Sequence, residues 1–384
     1  MATARNVGIL GYAESAYEKK TTRTLISMLA EVARGALASA GLAREDVDGI
    51  AVCSFMLPPD NAVTLAEQLG IPISWAYLGT AGGAGPVASV INAVGAIEAG
   101  QAKAILCLAA DNYDIAGHYR LMDFFNKALI SYATPNGFGG ANGLFGIVQR
   151  KHMETYGTRR EDLGRIAVGQ RASARHNDNA LLRGPLTLQD YLDARVIADP
   201  IRLYDCVLPC AGADAVVVGA LDRAPAGKGI RVLAGYEQHN HPAGEIAPLR
   251  GGWELFRDRL WADAGRGPAD LDFVQAYDDY PIMVAIQLED LGFCGKGEVS
   301  AFLAQHSFAF DGSFPLNTNG GQLSCGQAGA AGGMIGLVEA VRQLRGEAGP
   351  FQVARVRCGL VSGYGMVGYG HGLSSSCVVL ERVQ

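Results

Sequence analysis

Apolar and polar positions follow one arrangement that occurs twice along the chain. An acidic turn precedes an apolar run typical of a β-strand, and a glycine-rich turn then opens a segment with small and branched apolar residues at helical spacing. A second strand-like run follows after a short polar link. The matched segments are 41–55 with 265–280, 79–100 with 317–346, and 103–111 with 353–363. This duplication predicts an α/β protein built from two similar halves.

The segment 224–229, Ala-Pro-Ala-Gly-Lys-Gly, is the predicted joint between the halves, which would span about 1–228 and 229–384. The first half also carries an insertion at about 112–200, in which 144–157 and 161–177 have helical periodicity. We expect this insertion to cap the substrate cleft. The helices rich in Ala and Gly are expected to lie between sheets.

Composition and charge narrow the class of protein. Hydrophobic residues make up 49% and charged residues 18% of the 384 positions, which is typical of a folded globular chain. A net charge of -6 argues against nucleic-acid and anionic-membrane partners. No apolar stretch approaches the length of a membrane span, and the first twelve residues have no signal-peptide pattern, so a cytoplasmic location is expected.

Cysteine and histidine spacing does not predict a metal site. The eight cysteines are scattered in apolar or glycine-rich surroundings, which favours burial. His239 and His241 flank Asn240 with no acidic or cysteine ligand close in sequence, which favours a loop.

Four segments resemble the thiolases of the sterol-carrier-protein type, in the same order: 199–219, 277–298, 317–333 and 363–372. The resemblance covers nearly the whole chain. It implies a five-layered α/β/α/β/α sandwich, a homodimer across the sheet of the first half, and CoA-thioester substrates.

The positions that carry thiolase chemistry are different here. The nucleophilic cysteine that opens the first buried helix is replaced at about Gly83, and the histidine of the second glycine turn is replaced by Gln327. The late acid/base cysteine maps to about Val361. Without these three groups the chain lacks the covalent acyl carrier that acyl transfer needs.

The resemblance also includes a branch of aldolases that cleave steroid side-chain CoA thioesters by a tyrosine-based retro-aldol reaction. That branch implies a small OB-fold partner of the zinc-ribbon type, assembled with the homodimer into a heterotetramer. Coenzyme A would enter only as part of the substrate, with no further cofactor.

Tyrosines stand at two of the changed motifs, and they are the leading candidates for the base. Tyr277 replaces a polar position that lines thiolase active sites, and Tyr364 interrupts a run of glycines. A phenol is a weak base unless its pKa falls or a relay assists it, and Asp278 is the candidate relay. Gln327, with backbone N–H groups near Gly83, would hold the enolate oxygen. The competing interpretation is structural, with tyrosine packing and aspartate capping at a strand end.

Further residues are expected to shape or line the substrate site: Gly83, Ala84, Asn317, Gly320, Gly321, Tyr280 and His371. Two other functions remain open. An acyltransferase would use Cys325 as its nucleophile, although no basic partner stands near it in sequence. A non-catalytic subunit would only bind acyl-CoA or scaffold a partner.

Overall fold

The computed structural model describes residues 6–122, 129–138, 140–365 and 373–383. Eleven strands lie in these ranges: β1 Val7–Glu14, β2 Gly49–Cys53, β3 Trp75–Gly79, β4 Ala104–Asn112, β5 Val196–Ala198, β6 Ile201–Arg202, β7 Ala211–Ala220, β8 Ile230–His239, β9 Phe273–Gln275, β10 Cys358–Gly365 and β11 Ser374–Arg382.

Twelve α-helices lie in the same ranges: α1 Leu25–Ala40, α2 Ala62–Leu69, α3 Gly85–Glu98, α4 Ile115–Met122, α5 Ala141–Tyr156, α6 Arg160–Ala174, α7 Leu188–Asp193, α8 Trp253–Ala264, α9 Pro281–Asp290, α10 Val299–Gln305, α11 Gly321–Cys325 and α12 Ile335–Arg345. The first of them shows how the sequence sets an end: the Thr24 side chain accepts from the Ser27 N–H, and Gly41 closes the helix in the left-handed conformation.

Nine strands form one sheet in the order β3-β2-β4-β7-β1-β8-β11-β10-β9. The first five come from residues before 221 and the last four from residues after 229. The two groups meet where β1 pairs antiparallel with β8, at Gly8 with Arg231 and Ile9 with Ile230. Within each group the strands next to the glycine turns are parallel, β2 with β3 and β4, and β9 with β10.

The two helices that open at glycine turns are buried between strands of both groups. Helix α3 contacts β2 and β4 from the first group and β10 and β11 from the second, and α12 contacts β1, β7, β9 and β10. Their small side chains permit this close packing on opposite sides. The expected layering of helices between sheet surfaces is therefore present, and the α/β prediction is confirmed.

Helices α5 and α6 cover most of the two periodic runs predicted in the insertion. In the described part of the chain, no helix has both the length and the apolar character needed to cross a membrane. Among the same residues, no three His, Cys, Asp or Glu side chains are grouped as metal ligands. His241 contacts Glu254 at 2.7 Å, and His239 contacts Ser374 at 3.0 Å.

Candidate active site

The centre of the candidate site is the contact between Gly83 and Tyr277. Gly83 lies in the turn before α3, and a Cβ atom placed on it would come within 2.1 to 2.4 Å of the Tyr277 ring and hydroxyl. No side chain fits at residue 83 while Tyr277 keeps this position. The tyrosine ring therefore fills the space that a side chain at residue 83 would need, at the entrance to the first buried helix.

Glycines of the second half make this close approach possible. A Cβ atom on Gly333 would lie 2.1 Å from the carbonyl oxygen of Gly83, and one on Gly365 would lie 2.0 Å from the carbonyl oxygen of Ala81. Ser376 Oγ donates to the carbonyl oxygen of Ala84 at 2.9 Å. The first glycine turn is thus clamped by the second glycine turn and by β10 and β11.

The Tyr277 hydroxyl is held by an amide side chain. Gln327 Nε2 lies 3.3 Å from this hydroxyl and 3.2 Å from Gln322 Oε1. Burial raises the pKa of Tyr277 well above its usual value, the nearby Asp279 and Asp278 raise it further, and the hydrogen bond from Gln327 opposes them. The phenol is therefore neutral near pH 7 and can donate a hydrogen bond.

Asp278 fixes the turn beneath this tyrosine. Its carboxylate accepts from the backbone N–H groups of Gln322 at 3.0 Å and Leu323 at 3.2 Å. Burial raises its pKa to about 6, although these hydrogen bonds lower it. These hydrogen bonds hold the backbone in place, which supports a structural role for Asp278. A proton relay through Asp278 stays a prediction.

Asn317, Gly320 and Gly321 shape the backbone around Asp278, and a role for them in substrate binding stays a prediction. Asn317 has a φ of 47° and donates to the carbonyl oxygen of Ala276 at 3.0 Å. Gly320 and Gly321 have φ values of 108° and 58°, and a Cβ atom on Gly321 would lie 2.1 Å from Asp278 Oδ2.

Asp279 is a buried carboxyl group that the sequence analysis did not select. It is 8% exposed, and its Oδ1 has no hydrogen-bond partner among the described residues. Burial raises its pKa well above the usual value, and Asp278 raises it further. Asp279 in turn acts electrostatically on Tyr277, Tyr280 and Tyr364. A buried carboxyl group that lies beside three phenols, with one oxygen unpartnered among the described residues, is a candidate acid–base group.

An aromatic wall surrounds these polar groups. The rings of Phe145 and Tyr280 stack with centroids 4.1 Å apart, and Tyr364 lies 6.4 Å from Phe145 and 5.6 Å from Trp253. The Tyr280 hydroxyl donates to Asn142 Oδ1 at 2.6 Å. Because Asn142 and Phe145 belong to α5, this part of the insertion lies directly over the site.

Tyr113 is a second residue that the sequence analysis missed. It is 4% exposed and follows the end of β4. Its hydroxyl accepts from the Gly329 N–H, and the phenols of Tyr113 and Tyr277 are close enough to interact electrostatically. Burial raises its pKa well above the usual value. Its place after a parallel strand was the available signal, because the carboxyl ends of such strands collect binding groups.

Cys325 has the environment of a packed thiol. It is 2% exposed, its Sγ lies 3.2 Å from the carbonyl oxygen of Asn319, and burial raises its pKa well above the usual value. Val361 is buried in β10. His371, proposed from the sequence as a binding residue, lies outside the described residues.

Comparison with known proteins gives the family. Residues 258–382 match the model for the thiolase C-terminal domain-like family. The chain is 32% identical over 358 residues to the 17-hydroxy-3-oxo-4-pregnene-20-carboxyl-CoA lyase of Mycobacterium tuberculosis, covering 88% of this chain and 91% of the lyase. It is 32% identical over 357 residues to the steroid side-chain-cleaving aldolase of Thermomonospora curvata, covering 88% and 90% respectively.

The solved Ltp2-ChsH2(DUF35) aldolase has the same fold. It superposes with a TM-score of 0.84 at 29% identity, over 99% of both chains. These findings confirm the thiolase-type fold and the assignment to carbon–carbon lyases that the motifs predicted. The chain belongs to the thiolase-like family that includes these CoA-thioester lyases and side-chain aldolases.

Proposed function

We propose that the protein cleaves a β-hydroxyacyl-CoA by a retro-aldol reaction, and that its acyl group is of the steroid side-chain class for which the relatives are named. One observation carries the mechanism. The ring of Tyr277 fills the space beside Gly83, which the resemblance matches to the thiolase nucleophile. Gln327 binds the Tyr277 hydroxyl, and the buried Asp279 keeps an oxygen without a partner in the described residues. This arrangement suits deprotonation and oxyanion binding, which a retro-aldol reaction needs.

The reaction moves one proton from the substrate to Asp279 and then back to the substrate. Asp279 takes the proton of the β-hydroxyl group, a C=O bond forms at Cβ, and the Cα–Cβ bond breaks. The electron pair of the broken bond forms the enolate of the shorter acyl-CoA. Tyr277, supported by Gln327, donates a hydrogen bond to the enolate oxygen. Asp279 then returns the proton to Cα, so that a ketone or aldehyde and a shorter acyl-CoA are released.

The raised pKa values support donor roles for the tyrosines. A phenol whose pKa is raised by burial is neutral at pH 7, so neither Tyr277 nor Tyr364 acts as a base without a partner. The base in this proposal is Asp279, whose ionised form raises the pKa of Tyr364 further and keeps that phenol protonated. In this proposal Tyr364 donates to the substrate's β-oxygen and orients it toward Asp279.

The two rival functions have less support. An acyltransferase needs an accessible thiolate, and Cys325 is buried with a raised pKa. A non-catalytic subunit does not need a buried carboxyl group with a free oxygen, because such a group is destabilising. Mass spectrometry after incubation with acyl-CoA tests the acyltransferase directly, since that enzyme would carry an acyl group on Cys325.

The assembly we propose is a homodimer paired with a small OB-fold partner of the zinc-ribbon type. Strand β3 lies at the end of the sheet of the first half and offers an edge for pairing. The similar solved aldolase carries two components in its name, Ltp2 and ChsH2(DUF35).

The test is a product assay on the protein expressed with and without such a partner from the same genome. A panel of β-hydroxyacyl-CoAs, with steroid side-chain members, should yield a carbonyl product and a shorter acyl-CoA. Tyr277→Phe should lower kcat by about 10²–10³-fold and Asp279→Asn by about 10²–10⁴-fold.

Tyr119→Phe is the matched control, because this tyrosine is 68% exposed, and it should keep wild-type turnover. The absence of both products across the panel, with the partner present, would disprove the lyase proposal. Unchanged turnover in Tyr277→Phe and Tyr364→Phe would disprove the tyrosine assignment.

A further inference from the structure

Asp111 is a fully buried carboxylate at the end of β4 with donors from both halves of the molecule. Its Oδ1 accepts from Ser54 Oγ at 2.8 Å and from the N–H groups of Phe55 at 2.9 Å and Met56 at 2.8 Å. Its Oδ2 accepts from the Ala330 N–H at 2.8 Å. One oxygen therefore holds the loop after β2, and the other holds the glycine turn of the second half.

The turn that Asp111 holds is the one that forms the candidate site. It begins beside Gln327, which binds the Tyr277 hydroxyl, and it ends at Gly333, which packs on the carbonyl oxygen of Gly83. A Cβ atom on Gly329 would lie 2.0 Å from Asp111 Oδ2, and the Gly329 N–H donates to the Tyr113 hydroxyl. A shift of this turn would displace Gln327 and open its contact with Tyr113.

We propose that Asp111 is a positioning residue for the lyase reaction, and that its ionised carboxylate holds the turn carrying Gln327 in register with Tyr277 and Gly83. Asp111 acts through the turn, without touching the substrate. The kinetic part of this inference rests on the proposed function, but the structural part does not.

The hydrogen-bond pattern requires the ionised form. Three of the four donors are backbone N–H groups that cannot reverse direction, and protonation would convert one acceptor oxygen into a donor. Burial raises the pKa of Asp111 to about 7, although all four donors lower it. The titratable groups that act electrostatically with it are Cys53 and Tyr113, and burial raises the pKa of both, so neither supplies a charge near neutral pH. The turn should therefore loosen as the pH falls through about 7.

Asp111→Asn separates the two functions of the carboxylate. The amide oxygen can keep the three donors around Ser54–Met56, while the amide NH₂ group faces the Ala330 N–H, where no hydrogen bond can form. We expect kcat to fall about 10–100-fold with a smaller change in KM. The part of the acidic limb near pH 7 that comes from Asp111 should be absent from the kcat profile of this variant, while the limb that comes from the base Asp279 remains.

Hydrogen exchange measured by mass spectrometry tests the positioning role without any activity. At pH 8, peptides that cover 326–334 should lose protection at least about tenfold in Asp111→Asn, while peptides that cover 54–57 keep it. Ser54→Ala is the matched control, because it removes one donor from Oδ1 and leaves the Ala330 bond intact. It should keep both the protection of the turn and the acidic limb.

The outcomes separate this inference from the proposed function. A wild-type protein without lyase products but with the exchange pattern described would refute the function and keep the positioning role. Unchanged protection of 326–334 in a folded Asp111→Asn protein, or an unchanged acidic limb in that variant, would overturn the inference.

Discussion

At the scale of single residues, the identity of residue 83 and that of residue 277 depend on each other. Tyr277 can point its ring at the start of α3 only because Gly83 has no side chain. A cysteine at 83 would in turn require a smaller residue at 277. The glycine at 83 and the tyrosine at 277 therefore form one steric pair, in which the ring fills the space beside the glycine.

A double-mutant cycle measures this dependence. Gly83→Ala should lower the free energy of unfolding by about 1–3 kcal/mol, because the new Cβ overlaps a buried ring that has no room to move. In the Tyr277→Ala background the same change should cost less, with a coupling of about 1–3 kcal/mol. Urea denaturation of the four proteins gives the value.

Gly95, in the helix that follows Gly83, provides the control for this cycle. A Cβ atom on Gly95 meets nothing within 4 Å, so Gly95→Ala should raise the free energy of unfolding by up to about 1 kcal/mol. Equal costs for Gly83→Ala in both backgrounds would show that the tyrosine ring does not restrict this position.

The sequence motifs include Gly83, Gln327 and Tyr277, which the structure brings into contact with one another, while their roles in catalysis stay predictions. The sequence was insufficient for Asp279 and Asp111. The importance of each depends on partners far away in sequence, such as the Ala330 N–H for Asp111, or on a missing partner, as for Asp279 Oδ1. Local patterns do not contain this information.

At the scale of elements, the strand predicted to end in the candidate site is shorter than its pattern suggested. The run 265–280 forms a strand only at Phe273–Gln275, because the Asn317 side chain then binds the carbonyl oxygen of Ala276 and draws the chain out of the ladder. Residues 277–280 therefore lie outside the strand. Asp278 instead points to the start of α11 and accepts its N–H groups.

Asp278→Asn tests whether this carboxylate stabilises α11. One acceptor oxygen becomes an NH₂ group that faces a buried N–H group, and an unsatisfied buried donor costs about 1–3 kcal/mol of unfolding free energy. Urea denaturation checks the value. Asp270→Asn is the control, since Asp270 caps a turn at the surface through the Gly267 N–H and should change stability by less than about 0.5 kcal/mol. Similar small changes in both variants would contradict this role.

At the scale of the whole molecule, the duplication in the sequence predicted the repeated order of elements, and the family resemblance predicted the layers. Neither indicated that β1 and β8 join the strands into a nine-stranded sheet. That pairing links Gly8–Ile9 to Ile230–Arg231, more than two hundred residues apart, and a periodic pattern within one segment carries no signal for it. The covering of the site by Asn142 and Phe145 depends in the same way on how the insertion folds back.

Strand β3, at one end of this sheet, allows a test of the homodimer expected from the family. In β3, Ala76 is exposed, while the rings of Trp75 and Tyr77 stack with centroids 6.2 Å apart. Ala76→Lys would place a positive charge from each copy at a shared edge, which should convert a dimer into monomers in light scattering after gel filtration. Val63→Lys, on the exposed surface of α2, adds the same charge away from the edge and should stay dimeric. A wild-type protein that is monomeric at micromolar concentration, or an Ala76→Lys dimer of unchanged stability, would show that β3 is not the dimer edge.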